Sequence, residues 1–134
     1  MMIDIDNFKQ INDTYGHHIG DEALQQIGKR LTEISTDKLM AYRLAGDEFL
    51  VIAYADDDSG FYTEANLCIE IFRKDFDLQG ISYHINGSIG IAISPNDTEN
   101  IQDLMSYADK AMYKVKKSSK NAFCFYQDLN QTKK

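Results

Sequence analysis

The chain has 134 residues, and its 14 Lys and Arg against 21 Asp and Glu leave a formal net charge of −7, which argues against a protein built to grip a nucleic-acid backbone. At 43% hydrophobic and 26% charged, the composition is that of one globular domain able to bury a real core, which excludes disorder over its bulk. No apolar run approaches the roughly 20 residues of a membrane span and no charged-then-apolar signal segment opens the chain, so no direct membrane contact is expected, while Cys68 and Cys124 stand outside any C-x-x-C spacing, as reduced thiols of a cytoplasmic protein do.

Residues 1–6 alternate apolar and acidic side chains as a strand does, and Phe8, Ile11 and Tyr15 then recur at helical spacing up to Gly16. After a loop over 16–20, Leu24, Ile27, Gly28, Leu31 and Ile34 mark one face of a longer helix. Segments 39–44 and 49–54 read as the strands of a hairpin around Ala45, Gly46, Asp47 and Glu48. A polar loop follows over 56–60, and Ala65, Cys68, Ile69, Phe72 and Phe76 predict a third helix. A strand is expected over 82–94, where Gly87 and Gly90 mark a bulge or a close backbone approach. Asn100 suits the N-cap of a fourth helix with Ile101, Leu104, Met105, Ala108, Met112 and Val115 on its face and Lys114, Lys116 and Lys117 in its last turns. A short strand over 122–126 and a polar tail over 127–134 close the chain. The order strand, two helices, hairpin, helix, strand, helix, strand predicts an α+β sheet layered with helices.

Acidic residues cluster at the strand ends. Asp4 and Asp6 alternate with Ile3 and Ile5, so both carboxylates are expected on one face of the first strand while the isoleucines enter the core. If the hairpin tip with Asp47 and Glu48 packs beside that strand, three or four carboxylates converge, and like charges that close require a proton or a cation. The competing reading is a set of solvated strand-end acids. Lys9 and the lysines Lys116, Lys117 and Lys120 supply the charge a triphosphate needs, or simply compensate a helix dipole. Asn7 and Phe8 open the first helix with backbone N–H groups able to meet phosphate oxygens. His17 and His18 with Asp21 and Glu22 fit no zinc spacing, and loop capping or packing is the better reading for them.

The run from Asp4 to His17, then Gly20-Asp21, then Arg43-Leu44-Ala45-Gly46-Asp47-Glu48-Phe49, resembles the GGDEF domain of diguanylate cyclases. Ser88-Ile89-Gly90-Ile91 and the stretch from Ala108 to Lys116 match the same family in order and spacing, so the resemblance covers almost the whole chain. It implies a nucleotidyl-cyclase palm, a ferredoxin-like βααββαβ core with a mostly antiparallel central sheet covered by helices. It further implies that two GTP condense to cyclic di-GMP across a pair of domains, with Mg²⁺ or Mn²⁺ as cofactor. A bacterial, cytoplasmic setting is implied too, with sensory or output domains covalently attached in a parent protein that itself is either anchored to a membrane or not. By that resemblance Asp4, Asp47 and the Ile5 carbonyl are metal ligands, and Glu48 assists at the metal and at the attacking 3′-hydroxyl. Asn12 and Asp21 read guanine, and Lys9, Lys116, Lys120 and the backbone of Asn7 and Phe8 hold phosphates.

Three departures are specific to this chain. Ala45 replaces the first glycine of the signature, so its methyl has to fit the conformation and clearance that glycine serves. Lys120 stands where many members carry Arg, which keeps the charge and loses the bidentate fork. Thr36-Asp37-Lys38-Leu39 occupies the place of the family's inhibitory Arg-x-x-Asp, so no inhibitory product site is expected. The family's N-terminal lead-in helix is also expected to be missing from this single domain. The alternative function is a degenerate GTP-binding domain that regulates an attached phosphodiesterase or other output domain.

Overall fold

β1 (Met2–Ile5) is the middle strand of a five-stranded sheet ordered β2-β3-β1-β6-β7, with β2 at Leu39–Ala45, β3 at Glu48–Ala53, β6 at Gly87–Ile91 and β7 at Ala122–Phe125. The computed structural model describes residues 1–118 and 121–133. β1 pairs antiparallel with β3 and β6, β2 with β3 antiparallel, and only β6 with β7 runs parallel. The expected mostly antiparallel α+β sheet is thus present, and the hairpin does lie beside the first strand.

Strand alternation sorts the two faces of this sheet. Ile3, Ile5, Phe49, Val51, Ile89 and Ile91 point into the main core, where they meet Leu24, Ile27 and Leu31 of α2 (His17–Ile34) and Ala65, Cys68 and Ile69 of α3 (Asp58–Glu70). On the other face, Met2 packs with Ala108 and Met112 of α4 (Ile101–Ser118), and Leu50 lies against them. That contact is close because of Gly90, where a Cβ would stand 1.9 Å from the Ala108 carbonyl oxygen and 2.2 Å from the Met112 nitrogen. Asn100 caps α4 as expected, its side-chain oxygen accepting from the Asp103 N–H at 3.0 Å.

α4 covers only part of its face. Met40, Tyr42, Leu44 and Ile52 on β2 and β3, and Tyr54 just beyond, are exposed. Between this surface and α4 opens an apolar groove of about 580 Å³ lined by Ile52, Tyr54, Phe61, Ile101, Leu104 and Met105. Among the described residues no helix is long and apolar enough to cross a membrane.

Four elements differ from the sequence reading, the first being α2, which already begins at His17 inside the stretch read as a loop over 16–20. α3 starts earlier than expected, because Asp57 caps it by accepting from the Gly60 N–H. It also ends earlier, and Phe76 lies in β4 (Phe76–Leu78), which pairs with β5 (Ile81–Tyr83) as a separate two-stranded hairpin. The strand expected over 82–94 is therefore split between β5 and β6. The stretch read as a polar tail continues from β7 as a 3₁₀ helix, Tyr126–Lys133, with the Tyr126 ring stacked on Tyr107 at 4.1 Å.

Candidate active site

Asp4, Asp47, Glu48 and Lys116 meet at one end of the central sheet. The register sets Asp4 opposite Glu48 on β3 and opposite Ser88 on β6. Asp47 occupies the β2–β3 turn, and its carbonyl accepts from the Ile5 N–H at 3.3 Å, which ties the turn to the end of β1. Gly46 carries the positive φ, 52°, that this tight turn needs. Ala45 does not: it belongs to β2, pairs with Glu48 just past a register shift, and is exposed. Its methyl therefore meets neither a left-handed backbone nor a crowded one.

Asp4 and Asp47 are brought together. Asp47 is pushed above the ordinary carboxylate range, first by burial, then by the charge of Asp4 and a hydrogen bond shared with it. Its own backbone amide and the Lys116 ammonium oppose that rise. Asp4 Oδ2 accepts from Lys116 Nζ, and Asp4 Oδ1 is buried with no hydrogen-bond partner. Two crowded carboxylates, one of them holding an unclaimed oxygen, form an oxygen donor set of the hard kind that suits Mg²⁺ or Mn²⁺.

Asp6 does not join them. β1 ends at Ile5, and the chain turns at Asn7, whose φ of 59° is left-handed. Asp6 is buried at 3% exposure, accepting from Ser88 Oγ at 2.7 Å and from the Asn121 N–H at 3.4 Å. Its carboxylate ties β1 to β6 and to the start of β7. The expected convergence of three or four carboxylates is corrected accordingly: among the described residues no group of three or more His, Cys, Asp or Glu stands ready to hold a metal ion.

α1 (Phe8–Tyr15) starts at Asn7 with no side-chain cap, so the N–H groups of its first turn are not claimed by a capping side chain. Lys9 is exposed on its outer face. Asn12 faces α2, and its Oδ1 is buried without a partner. Gly20 makes room for it, because a Cβ there would stand 1.8 Å from that oxygen. The sequence reading gave Gly20 no role, because it fell in the stretch read as a loop, where a glycine is ordinary. Asp21 is exposed on the next residue, and Glu22 holds a second buried oxygen, Oε2, with no partner. His17 and His18 are exposed at the start of α2. Lys38 is exposed, and Lys120 lies outside the described residues.

A family model described as "Diguanylate cyclase, GGDEF domain" matches residues 1–122. The chain is similar to the bifunctional diguanylate cyclase/cyclic di-GMP phosphodiesterase MucR of Pseudomonas aeruginosa, 33% identical over 127 residues, 95% of this chain and 18% of that one. It is also similar to the cyclic di-GMP phosphodiesterase PdeR of Escherichia coli, 34% identical over 131 residues, covering 96% of this chain and 20% of that one. It thus spans about a fifth of the length of these relatives. Among solved structures, an EAL/GGDEF domain protein from M. capsulatus superposes with a TM-score of 0.85 at 34% identity, covering 93% of this chain and 81% of that one.

Proposed function

The chain belongs to the GGDEF domain family, and from that premise we propose that it condenses two GTP into cyclic di-GMP with release of pyrophosphate, one GTP being held on each of two facing protomers. The observation that carries this reading is the pairing of Asp4 with Asp47 beside the unclaimed oxygen of Asp4. Asp4, Asp47 and the Ile5 carbonyl are the groups that would hold Mg²⁺ or Mn²⁺, which when bound neutralises charge on the triphosphate and polarises it toward attack. Glu48, cross-strand from Asp4, would receive the proton of the 3′-hydroxyl. Asn12 Oδ1, with its unmet acceptor capacity, and the exposed Asp21 carboxylate offer acceptors to the N–H groups of guanine. The N-terminus of α1 at Asn7 and Phe8, with Lys9, Lys116 and Lys120, supplies donors and positive charge for the phosphates. Such an arrangement works by positioning and charge stabilisation.

Thr36 to Leu39 contains no guanidinium, so feedback by product through that stretch is not part of the reading. A second reading, a GTP-binding domain that regulates an attached phosphodiesterase, is favoured by the similarity to PdeR. The exposed, extended setting of Ala45 weighs for the cyclase. Incubation with GTP and Mg²⁺, scored for cyclic di-GMP beside Glu48→Gln and Asp21→Ala, separates the two. The cyclase reading expects product from the wild-type chain, loss of product but not of GTP binding in Glu48→Gln, and a narrowed preference for GTP over ATP in Asp21→Ala. GTP binding with no product at any protein concentration would favour the regulatory reading.

A further inference from the structure

Lys116 stands in the last turn of α4, where a cation suits the C-terminal end of the helix dipole. The close packing at Gly90 presses α4 on to β6 and brings this lysine within reach of β1, 112 residues away in sequence. There its ammonium is seated on Asp4 Oδ2, with the two side chains only 29% and 15% exposed. A contact this sheltered is screened less than a surface ion pair. A divalent cation that takes Asp4 as a ligand, through the free Oδ1 or through Oδ2, has to share one carboxylate with the positive charge already seated on it. The triphosphate of a nucleotide offers the same ammonium another anionic partner.

We infer that Lys116 is a tethered counter-cation that competes with the divalent metal for Asp4 and is drawn off by the phosphates of the nucleotide, so that metal and nucleotide favour each other's binding. The inference rests on the reading of Asp4 and Asp47 as the metal carboxylates and adds a second role to Lys116 beyond phosphate contact. Because linkage is reciprocal, the gain that nucleotide gives metal is the gain that metal gives nucleotide. A lysine that only touched phosphate would leave metal affinity without nucleotide untouched.

The test is a Mn²⁺ titration of the full chain followed by electron paramagnetic resonance, with and without 3′-deoxy-GTP, which carries no attacking hydroxyl. Lys116→Met is expected to bind Mn²⁺ about fivefold to tenfold more tightly than wild type when nucleotide is absent, a change of the size expected for a half-buried ion pair. The factor by which 3′-deoxy-GTP tightens Mn²⁺ should shrink correspondingly, and Lys116→Arg should keep wild-type behaviour. Lys116→Gln, checked by circular dichroism, serves as the second neutral variant should the methionine disturb the fold. Unchanged or weaker Mn²⁺ binding in the neutral variants overturns the inference. If, in addition, Asp4→Asn binds Mn²⁺ with nucleotide as wild type does, the metal reading itself has failed. A loss in Asp4→Asn with no gain in Lys116→Met overturns the competition alone.

Discussion

Single side chains decide what the sheet end can do. Asp47 is raised above its ordinary value of 3.8, so above that pH the folded chain holds a proton that the unfolded chain releases. The stabilisation this gives is present at acid pH and lost as pH rises through the raised value. Without divalent ions, Asp47→Asn is therefore expected to be the more stable protein near neutral pH, by no more than about 5 °C in Tm. Thermal melts of both proteins from acid to neutral pH check this, and the difference should vanish at the acid end. Gly20→Ala is expected to weaken GTP affinity at least about tenfold with only a small loss of Tm, because its methyl meets the far end of the Asn12 side chain rather than backbone. Calorimetric titration beside a melt reads both effects. Alternation of Asp4 with Ile3 and Ile5 made the strand end legible, the hairpin tip drew attention to Asp47 and Glu48 together, and a metal role for Asp47 came only from the family resemblance. Asp6 was misplaced because period-two logic holds only while the strand lasts, and β1 ends at Ile5, ahead of the left-handed turn at Asn7.

At the scale of elements, long periodic segments were readable and short ones were not. α4 announces itself by an apolar face sustained over its 18 residues, and α2 by one from Leu24 to Ile34, while the first turn of α2 passed for a loop. The β4–β5 hairpin has three residues on each side and a turn at Gln79 and Gly80, both with positive φ. Glutamine is not a residue that advertises such a turn, and Phe76 falls four residues after Phe72, so the helical period ran on past the true end of α3. Arg30 of α2 is what holds this region. Its guanidinium donates to the carbonyls of Ile71, Lys74 and Asp75 at 2.6, 2.6 and 2.7 Å and lies 3.5 Å from the centre of the Phe76 ring. Arg30→Ala is expected to cost about 2 kcal/mol, since it strands three carbonyls and removes a cation–π contact. A lowered urea midpoint with an unchanged far-ultraviolet spectrum is the expected result. Gly90 was legible as a close approach, though its partner helix was not, because contacts between distant segments leave no local pattern.

For the molecule as a whole, the proposed reaction needs two loaded sites face to face. Pairing costs several kcal/mol of translational and rotational freedom, and a net charge of −7 adds repulsion between copies. Product formation by this chain alone is therefore expected to rise with the square of protein concentration at low concentration, and to become first order when two copies are tethered by a flexible linker. Initial rates over a hundredfold dilution series decide it; a specific rate independent of concentration would mean a stable pair or chemistry within one copy.

The uncovered face of β2 and β3 gives that experiment a second dimension. Tyr42, Leu44, Ile52 and Tyr54 present apolar area to water, whereas the Asp4 end of the sheet presents charge and unmet polar groups. Copies that meet through the apolar face shed ordered hydration, and their association enthalpy must then grow steadily more favourable on warming, the mark of a negative heat-capacity change. Copies that meet through nucleotide-loaded ends exchange one set of polar contacts for another, and their enthalpy should change little with temperature. Dilution heats measured at several temperatures thus tell a productive encounter from mere adhesion, even where both yield a particle of the same mass.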